Sequence, residues 1–345
     1  IVRAFAGIDT EYRFVRDTVG VTDFSFMQKY RVPEESGIDF LDSVVAGNVA
    51  KIRFGRVLHT FIADDNGMLL ADCYVANNDD ELVVLCESIT DDAGLDAILL
   101  SDEGREAGVE KLTESHAAIG IDGFKAWTVA KRLFGADVLG LPYLSLEVYP
   151  FEGEDIRLIR AGKTSEFGYL LVAPVETATG LMQAVIESAK ANDGGLCGLE
   201  VHDHLRLEGR FFNIFAEGER VRDPLQLGLQ WMIDFDKDAF GGRDAILQRR
   251  SEGLKRKCIG VRTEGPSDAL EVGMALFDGA TQVAEVVASC HSYVLDVNVG
   301  LASFPIDIAY SGLPFTAGGP DGASIRTISM PPIMPKSLTV RLDEL

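Results

Sequence analysis

The stretch R-A-G-K-T-S-E-F-G-Y-L-L-V-A-P, residues 160–174, decides how the rest of the sequence is interpreted. It joins a polar turn with two glycines to a hydrophobic run and a proline. Gly162 and Gly168 allow positive φ and close backbone approach, which lets a ligand sit against the turn. Residues 169–173 predict a buried strand, and Pro174 suits the first turn of a following helix. Taken alone, such a stretch is more often a plain connection between two core elements.

The composition is that of a folded protein with a strongly acidic balance. Of the 345 residues 47% are hydrophobic, and 32 basic against 54 acidic residues give a formal charge of −22. This charge disfavours nucleic acid and anionic membranes as partners. No apolar run is long enough to span a membrane, and the first ten residues lack the pattern of a secretory signal. Because the first residue, Ile1, is not a methionine, we expect further residues upstream of it.

The five cysteines are scattered and form no C-x-x-C pair or other zinc-like spacing. Their odd number disfavours a fully paired secreted framework, although one or two disulfides remain compatible with the sequence. We expect buried free thiols in a reducing cytoplasm. They are Cys73, Cys86, Cys197, Cys258 and Cys290.

Upstream of the turn the sequence predicts an α+β pattern. Residues 37–46 have apolar positions at helical spacing, and D-D-N-G at residues 64–67 separates two strand-like runs of a hairpin. A third strand is expected at 81–88 and a short helix at 95–100. Further on, a strand near 117–121 precedes a helix that ends before Gly135, and two strands lead into residue 160.

Downstream, an apolar helical stripe follows Pro174, and from about Lys255 short β-like runs replace the helical periodicity. We therefore predict a C-terminal β-rich domain or barrel that packs over the centre of the molecule. G-G-P-D-G at residues 318–322 is interpreted as a turn, since no helix or Lys-Ser/Thr follows it. His202 and His204 form an H-x-H pattern in a helical context that separates their faces, so we expect no metal site there.

The order of the motifs resembles the glycine-cleavage T-protein (aminomethyltransferase) family, whose relatives include tetrahydrofolate-dependent demethylases. T-D-F-S-F-M at residues 22–27, N-G-M-L-L-A-D at 66–72 and the turn R-A-G-K-T-S-E-F-G-Y each resemble a family motif. G-L-E-V-H-D-H-L-R-L-E at 198–208, D-P-L-Q-L-G-L-Q-W at 223–231 and F-G-G-R at 240–243 complete the series. Singly these motifs are weak, but in this order they are specific.

The resemblance implies an α+β fold, a three-part cloverleaf with a central folate pocket and a C-terminal β-barrel-like domain. We expect residues 1–254 to form the folate-binding region, as two intertwined subdomains, and residues 255–345 the barrel domain. The position that matches the family's catalytic aspartate is Asp72, where an acid can accept or direct a proton on an amine. Without the family, Asp72 is more often a strand-end carboxylate satisfied by backbone N–H groups.

The pterin-contact positions depart from the family's pattern. A family glutamate is replaced by Leu170, which removes the charge-assisted hydrogen bonds that hold a pterin. Glu166 and Glu200 are candidates to compensate, although Glu166 also matches the family's own turn residue. The positions that the resemblance assigns to cofactor binding are His59, Cys86, Lys163, Glu166, Leu170 and His202.

Three functions are therefore open. The first is a tetrahydrofolate-dependent one-carbon transferase that acts on a small amine or methylated donor, with a lipoyl-carrier protein as a candidate partner. The second is the same scaffold with another planar or acidic ligand, and the third is a non-catalytic relative that aids assembly or repair. Because Leu170 and His202 each remove a charge and Lys163 adds a positive one, we expect a more cationic pocket with weak tetrahydrofolate binding that Leu170→Glu improves.

Overall fold

The computed structural model describes residues 1–339, in which helices and strands alternate up to residue 252 and strands dominate thereafter. The helices are α1 Ile8–Asp17, α2 Glu34–Val44, α3 Asp92–Leu99, α4 Asp102–Glu106, α5 Ala126–Phe134, α6 Val175–Lys190, α7 Leu199–Gly209, α8 Glu219–Val221 and α9 Arg243–Glu252. The strands are β1 Gly20–Asp23, β2 Gln28–Pro33, β3 Val57–Ala63, β4 Leu69–Asn77, β5 Glu81–Ser88, β6 Glu110–Lys111, β7 His116–Asp122, β8 Ser145–Phe151, β9 Glu154–Arg160, β10 Gly168–Pro174, β11 Gly195–Leu196, β12 Arg256–Thr263, β13 Ala275–Asp278, β14 Thr281–Ser292, β15 Val297–Pro305, β16 Pro314–Ala317 and β17 Ala323–Ile328.

The first sheet has six strands in the order β11-β1-β7-β10-β9-β8, and only β11 and β1 run parallel. Strand β10 pairs with β7 on one side and β9 on the other. It is hydrophobic because its two faces are buried in two different cores, Leu171 in one and Leu170 in the other. Helices α5 and α6 cover one face and share a buried core with it. Strand β10 ends at Pro174 and α6 begins at Val175. Pro174 therefore precedes the helix, whereas the sequence predicted it within the first turn.

The second sheet has five antiparallel strands in the order β3-β4-β5-β2-β6. The predicted hairpin is present as β3 and β4, and Gly67 has the positive φ of 68° that the turn between them requires. The pairing of β4 with β5 sets Asp72 opposite Glu87 and Cys73 opposite Cys86. Alternate residues of a strand point to opposite faces, so the two carboxylates share one face and the two thiols the other.

The C-terminal part is a closed barrel of six strands in the order β12-β15-β14-β13-β16-β17. One hydrophobic core joins it to the rest of the chain, with Phe61 from the second sheet, Ile214 from the segment after α7, and Val299 from the barrel. The expected α+β fold with a C-terminal barrel is thereby confirmed. The division at residues 254 and 255 stays a prediction, and residues 340–345 of the predicted barrel domain lie outside the described residues.

The glycines at the two ends of the central turn, which is formed by residues 161–167, differ from the expectation based on sequence. Neither Gly162 nor Gly168 has positive φ, whereas Ser165 does, at 70°. The glycines instead allow close packing, because a Cβ on Gly162 would lie 2.9 Å from the Cα of Gly168 and 2.7 Å from Oδ1 of Asp122. Close backbone approach is therefore the property that the turn needs.

The predicted turn at residues 318–322 connects β16 to β17 in the barrel. All five cysteines are buried free thiols. Among residues 1–339, no helix is both long and apolar enough to cross a membrane.

Candidate functional site

Four buried charged side chains meet where the two sheets and α7 come together, and they form the central ion cluster: Asp72, Glu87, Lys163 and Arg206. The Lys163 Nζ donates to Asp72 Oδ2 at 2.6 Å and also to Glu87 Oε2. Arg206 binds Glu87 with two parallel hydrogen bonds of 2.6 and 2.9 Å. The cluster contains two carboxylates and two cations, so its formal charges balance.

The fold explains why these four side chains meet. Asp72 and Glu87 share a sheet face because β4 and β5 pair in that register. The central turn carries Lys163 to that face from the first sheet, and α7 presents Arg206 one helical turn after His202. A fifth group, His59 on β3, holds the other oxygen of Asp72, with Nε2 at 2.7 Å from Oδ1.

The electrostatics of the cluster keep both carboxylates ionised. Burial opposes the charge of Asp72, but Lys163 and His59 outweigh it and hold the pKa of Asp72 below its ordinary range. Burial likewise opposes the charge of Glu87, and Arg206 and Lys163 lower the pKa of Glu87 to about 2. Asp72 is therefore a fixed negative charge at neutral pH and a weak base.

This depressed pKa predicts a pH-dependent stability contribution from Glu87. A carboxyl whose folded pKa is about 2 and whose ordinary value is 4.5 stabilises the fold fully above pH 4.5. The contribution, about 3 kcal/mol, is lost as the pH falls from there towards 2. We expect the difference in unfolding free energy between the wild type and Glu87→Gln to shrink over that interval, measured by urea unfolding at several pH values. A difference that stays constant would contradict the assignment.

A cavity of about 40 Å³ lies beside the cluster, which is room for a few water molecules. Its lining includes Glu87, Asp122, Lys163, Leu170, His202 and Arg206. Asp72 is not part of this lining and reaches the cavity through Lys163. We call this space the central cavity.

Two larger clefts flank the central cavity. The α7 cleft, about 560 Å³, shares Glu87, His202 and Arg206 with it and opens beside Phe26 and Phe215. The barrel cleft, also about 560 Å³, lies between the second sheet and the barrel and includes His59 and the exposed Trp231. The ion cluster thus separates two clefts that lie on different sides of it.

The structure brings most of the predicted binding residues together. Lys163, Leu170 and His202 line the central cavity, and His59 contacts Asp72 from the barrel cleft. Cys86 lines the α7 cleft, with its Sγ 3.1 Å from that of Cys73. Their roles in binding remain predictions.

Glu166 lies outside the lining of the central cavity. Its carboxylate pairs with Arg16 and accepts hydrogen bonds from the backbone N–H groups of Lys336 and Ser337. Glu166 therefore fastens the C-terminal segment to the central turn, which matches its interpretation as a structural turn residue. Glu200, the other acid considered as compensation, is not part of the cavity lining either.

The two histidines of H-x-H diverge on α7. His202 Nε2 lies 2.8 Å from the Thr22 hydroxyl, and burial together with Arg206 lowers the pKa of His202 to about 3, so the ring is neutral. His204 points elsewhere and stacks at 6.4 Å on Tyr293. In residues 1–339, no group of three or more His, Cys, Asp or Glu side chains is arranged to hold a metal ion.

Sequence reasoning missed two acids of the site. Glu87 stands directly opposite Asp72 in a strand that was predicted, so pairing the two strands across their turn would have found it. Asp122 ends β7 in a D-G-F stretch that was interpreted as the start of a helix. It is buried, and Gly162 and Gly168 approach its carboxylate from elsewhere in the chain, which no local signal reports.

Comparison with known proteins agrees with the fold. The family model described as the GCVT N-terminal domain matches residues 2–237. The aminomethyltransferase of Halothermothrix orenii is 26% identical over 313 residues, covering 89% of this chain and 86% of that protein. The aminomethyltransferase of Caldanaerobacter subterraneus is 29% identical, covering 86% of this chain and 80% of that protein.

Among solved structures, the glycine cleavage system aminomethyltransferase T from Bartonella henselae superposes with a TM-score of 0.81. The superposition covers 97% of this chain and 91% of that one at 19% sequence identity. This likeness concerns the fold, which is the same three-part arrangement.

Proposed function

The chain belongs to the GCVT family, and on that premise we propose that it is a one-carbon transferase of the aminomethyltransferase type. It would take a one-carbon unit from a small amine or methylated donor and pass it to tetrahydrofolate, with a lipoyl-carrier protein as a candidate donor partner. The observation that carries the proposal is the central ion cluster beside the central cavity. Burying four charges is expensive and contributes little net stability, so a cluster of this kind points to chemistry.

The polar groups of the central cavity fit one edge of a pterin. Asp122 offers a carboxylate oxygen without a hydrogen-bond partner among the described residues, and Lys163 offers N–H donors. The volume of about 40 Å³ is far below the roughly 300 Å³ of a small-molecule site. Binding therefore requires the side chains between the cavity and the α7 cleft, such as His202, to move. Tetrahydrofolate, when bound, supplies the pterin nitrogen that accepts the one-carbon unit.

Lys163 and Asp72 have different roles in the proposed reaction. Lys163 presents an ammonium group to the cavity and can donate a proton to a departing amine nitrogen. Asp72 and Glu87 hold Nζ in place, and the fixed charge of Asp72 stabilises positive charge that develops nearby. The series His59–Asp72–Lys163 also joins the barrel cleft to the central cavity through two short hydrogen bonds, which fix the position of Nζ.

The proposal is tested by incubating the protein anaerobically with tetrahydrofolate and a panel of N-methyl and aminomethyl donors. Mass spectrometry of the folate then detects any added carbon. We expect transfer from at least one donor, and none when Lys163→Met replaces the wild type. A panel that gives no transfer, together with no thermal shift by tetrahydrofolate, would argue against the proposal.

The small cavity supports a second candidate, the same scaffold with a smaller planar ligand. An acidic ligand is less favoured than the sequence suggested, because Asp72 and Glu87 already neutralise Lys163. A thermal-shift screen separates the candidates, since a planar heterocycle without a folate tail would stabilise the protein while tetrahydrofolate would not.

A further inference from the structure

Asp122 is a buried acid that no cation holds. Asp122 is only 5% exposed. The single hydrogen bond of its side chain is long, at 3.5 Å from the Thr164 hydroxyl to Oδ1. In the described part of the chain, Oδ2 accepts no hydrogen bond and the carboxylate makes no ion pair. The other charged groups that line the central cavity all bind one another. A buried carboxylate left in this state is costly unless something else binds it.

The sheet register places Asp122 beside the position of the lost glutamate. In the pairing of β7 with β10, Asp122 lies opposite Gly168, and Leu170 lies opposite Gly120. Residues two apart on a strand share a face, so the side chains of Asp122 and Leu170 point to the same side of the sheet as diagonal neighbours. Both line the central cavity.

Two glycines make room for this carboxylate. A Cβ on Gly162 or Gly168 would lie 2.7 or 2.8 Å from Oδ1. A side chain at either position would displace the carboxylate. Gly162 of the central turn and Gly168 at the start of β10 therefore leave space for the acid.

We propose that Asp122 is the carboxylate that anchors a ligand in the central cavity, in place of the family glutamate at the position of Leu170. Its ligand class is a planar heterocycle with an amino group and a ring N–H on one edge, the edge that a pterin has. A carboxylate accepts two parallel hydrogen bonds from such an edge. This inference rests on the proposed function and identifies the residue that would select its pterin.

The ionisation of Asp122 makes this binding pH-dependent. Burial raises the pKa of Asp122 to about 7, against the opposing effects of Arg206 and the Thr164 hydroxyl. An N–H edge binds the ionised form, so binding releases protons near neutral pH, and affinity rises as the pH rises through 7. The titratable and charged groups that face Asp122 are Glu87, Tyr143, Lys163, Cys197, His202 and Arg206.

The test compares pterin with lumazine, which carries an oxygen in place of the pterin amino group, by isothermal titration. We expect the wild type to prefer pterin by at least about tenfold, and Asp122→Asn to bind the two within about twofold. The asparagine amide offers a donor as well as an acceptor, so it can bind both the amino edge of pterin and the carbonyl edge of lumazine. Glu217→Gln is the matched control, because Glu217 is an equally buried acid with a raised pKa that does not line the cavity, and it should keep the preference.

Proton release is measured on the wild type at several pH values from 5 to 7.5, by titration with pterin in two buffers of different ionisation enthalpy. This measurement tests the inference without a variant, so it stands even where Asp122→Asn does not fold. Proton release within this range supports the inference, and release at none of these pH values overturns it.

The variant Leu170→Glu distinguishes this inference from the expectation based on sequence, which was that Leu170→Glu improves binding. If Asp122 already anchors the ligand, a second carboxylate beside it raises its pKa further and does not improve pterin binding. In Asp122→Asn the same change should restore the preference for pterin.

Tenfold tighter pterin binding by Leu170→Glu alone, or an unchanged preference in folded Asp122→Asn, would overturn the role of Asp122 and leave the proposed function standing. A wild type that binds neither pterin nor tetrahydrofolate overturns both.

Discussion

Asp72→Asn is expected to lower one-carbon transfer about a hundredfold while the protein stays folded, because Lys163, the proposed proton donor, loses the carboxylate that positions it. Both oxygens of Asp72 accept hydrogen bonds, from His59 Nε2 and from Lys163 Nζ. An asparagine amide has one acceptor and one donor group, so it can satisfy only one of these two partners. The fixed negative charge beside Lys163 is lost as well, and Lys163 retains only Glu87.

The measurement is the single-turnover rate with the donor that the panel identifies, with circular dichroism to establish folding. Asp102→Asn is the control, because the Asp102 side chain is 94% exposed and the same chemical change there should leave the rate unaltered. An unchanged rate for Asp72→Asn would exclude Asp72 from the chemistry.

Arg206→Met is expected to destabilise the fold by about 3–5 kcal/mol, the usual cost of removing one partner from a buried ion pair. The change removes both hydrogen bonds to Glu87 and leaves Lys163 as the single cation between two buried carboxylates. The pKa of Glu87 should rise from about 2, because Arg206 is the largest group that lowers it.

The free energy of unfolding in urea measures this loss. Adding Glu87→Gln to Arg206→Met should recover much of it, since the double variant buries no unpaired carboxylate at that position. Arg13→Met is the comparison, because its pair with Asp9 is more than half exposed and should contribute far less to stability. If Arg206→Met lowered the free energy of unfolding as little as Arg13→Met does, the pair of Arg206 with Glu87 would not stabilise the fold.

The sequence was informative wherever a local pattern determines structure. The turn at residues 64–67, the strand of residues 169–173 and the change to β-like runs near Lys255 all correspond to elements of the fold. Asp72 was identified through the resemblance to the family. A charged side chain in a hydrophobic strand also needs a partner, and the structure supplies two.

The rest of the site depends on contacts between distant segments, which local patterns do not report. Lys163 was expected to make the pocket more cationic, but its charge is shared by two carboxylates from another sheet. Glu166 was a candidate for the pocket, but residues at the far end of the chain bind its carboxylate. Asp122 was not considered, because the glycines that approach its carboxylate are some forty residues away in sequence.

The sequence separation within the central ion cluster also affects how the protein folds. The contacts of Lys163 span 91 residues to Asp72 and 76 to Glu87, and that between Arg206 and Glu87 spans 119. Contacts of this span form late, because closing long loops costs chain entropy before the contacts are gained. During synthesis, β4 and β5 emerge with two carboxylates that have no cation until the central turn and α7 have followed. We therefore expect the second sheet to reach its native packing only after α7 has left the ribosome, so that an incomplete chain cannot assemble the site.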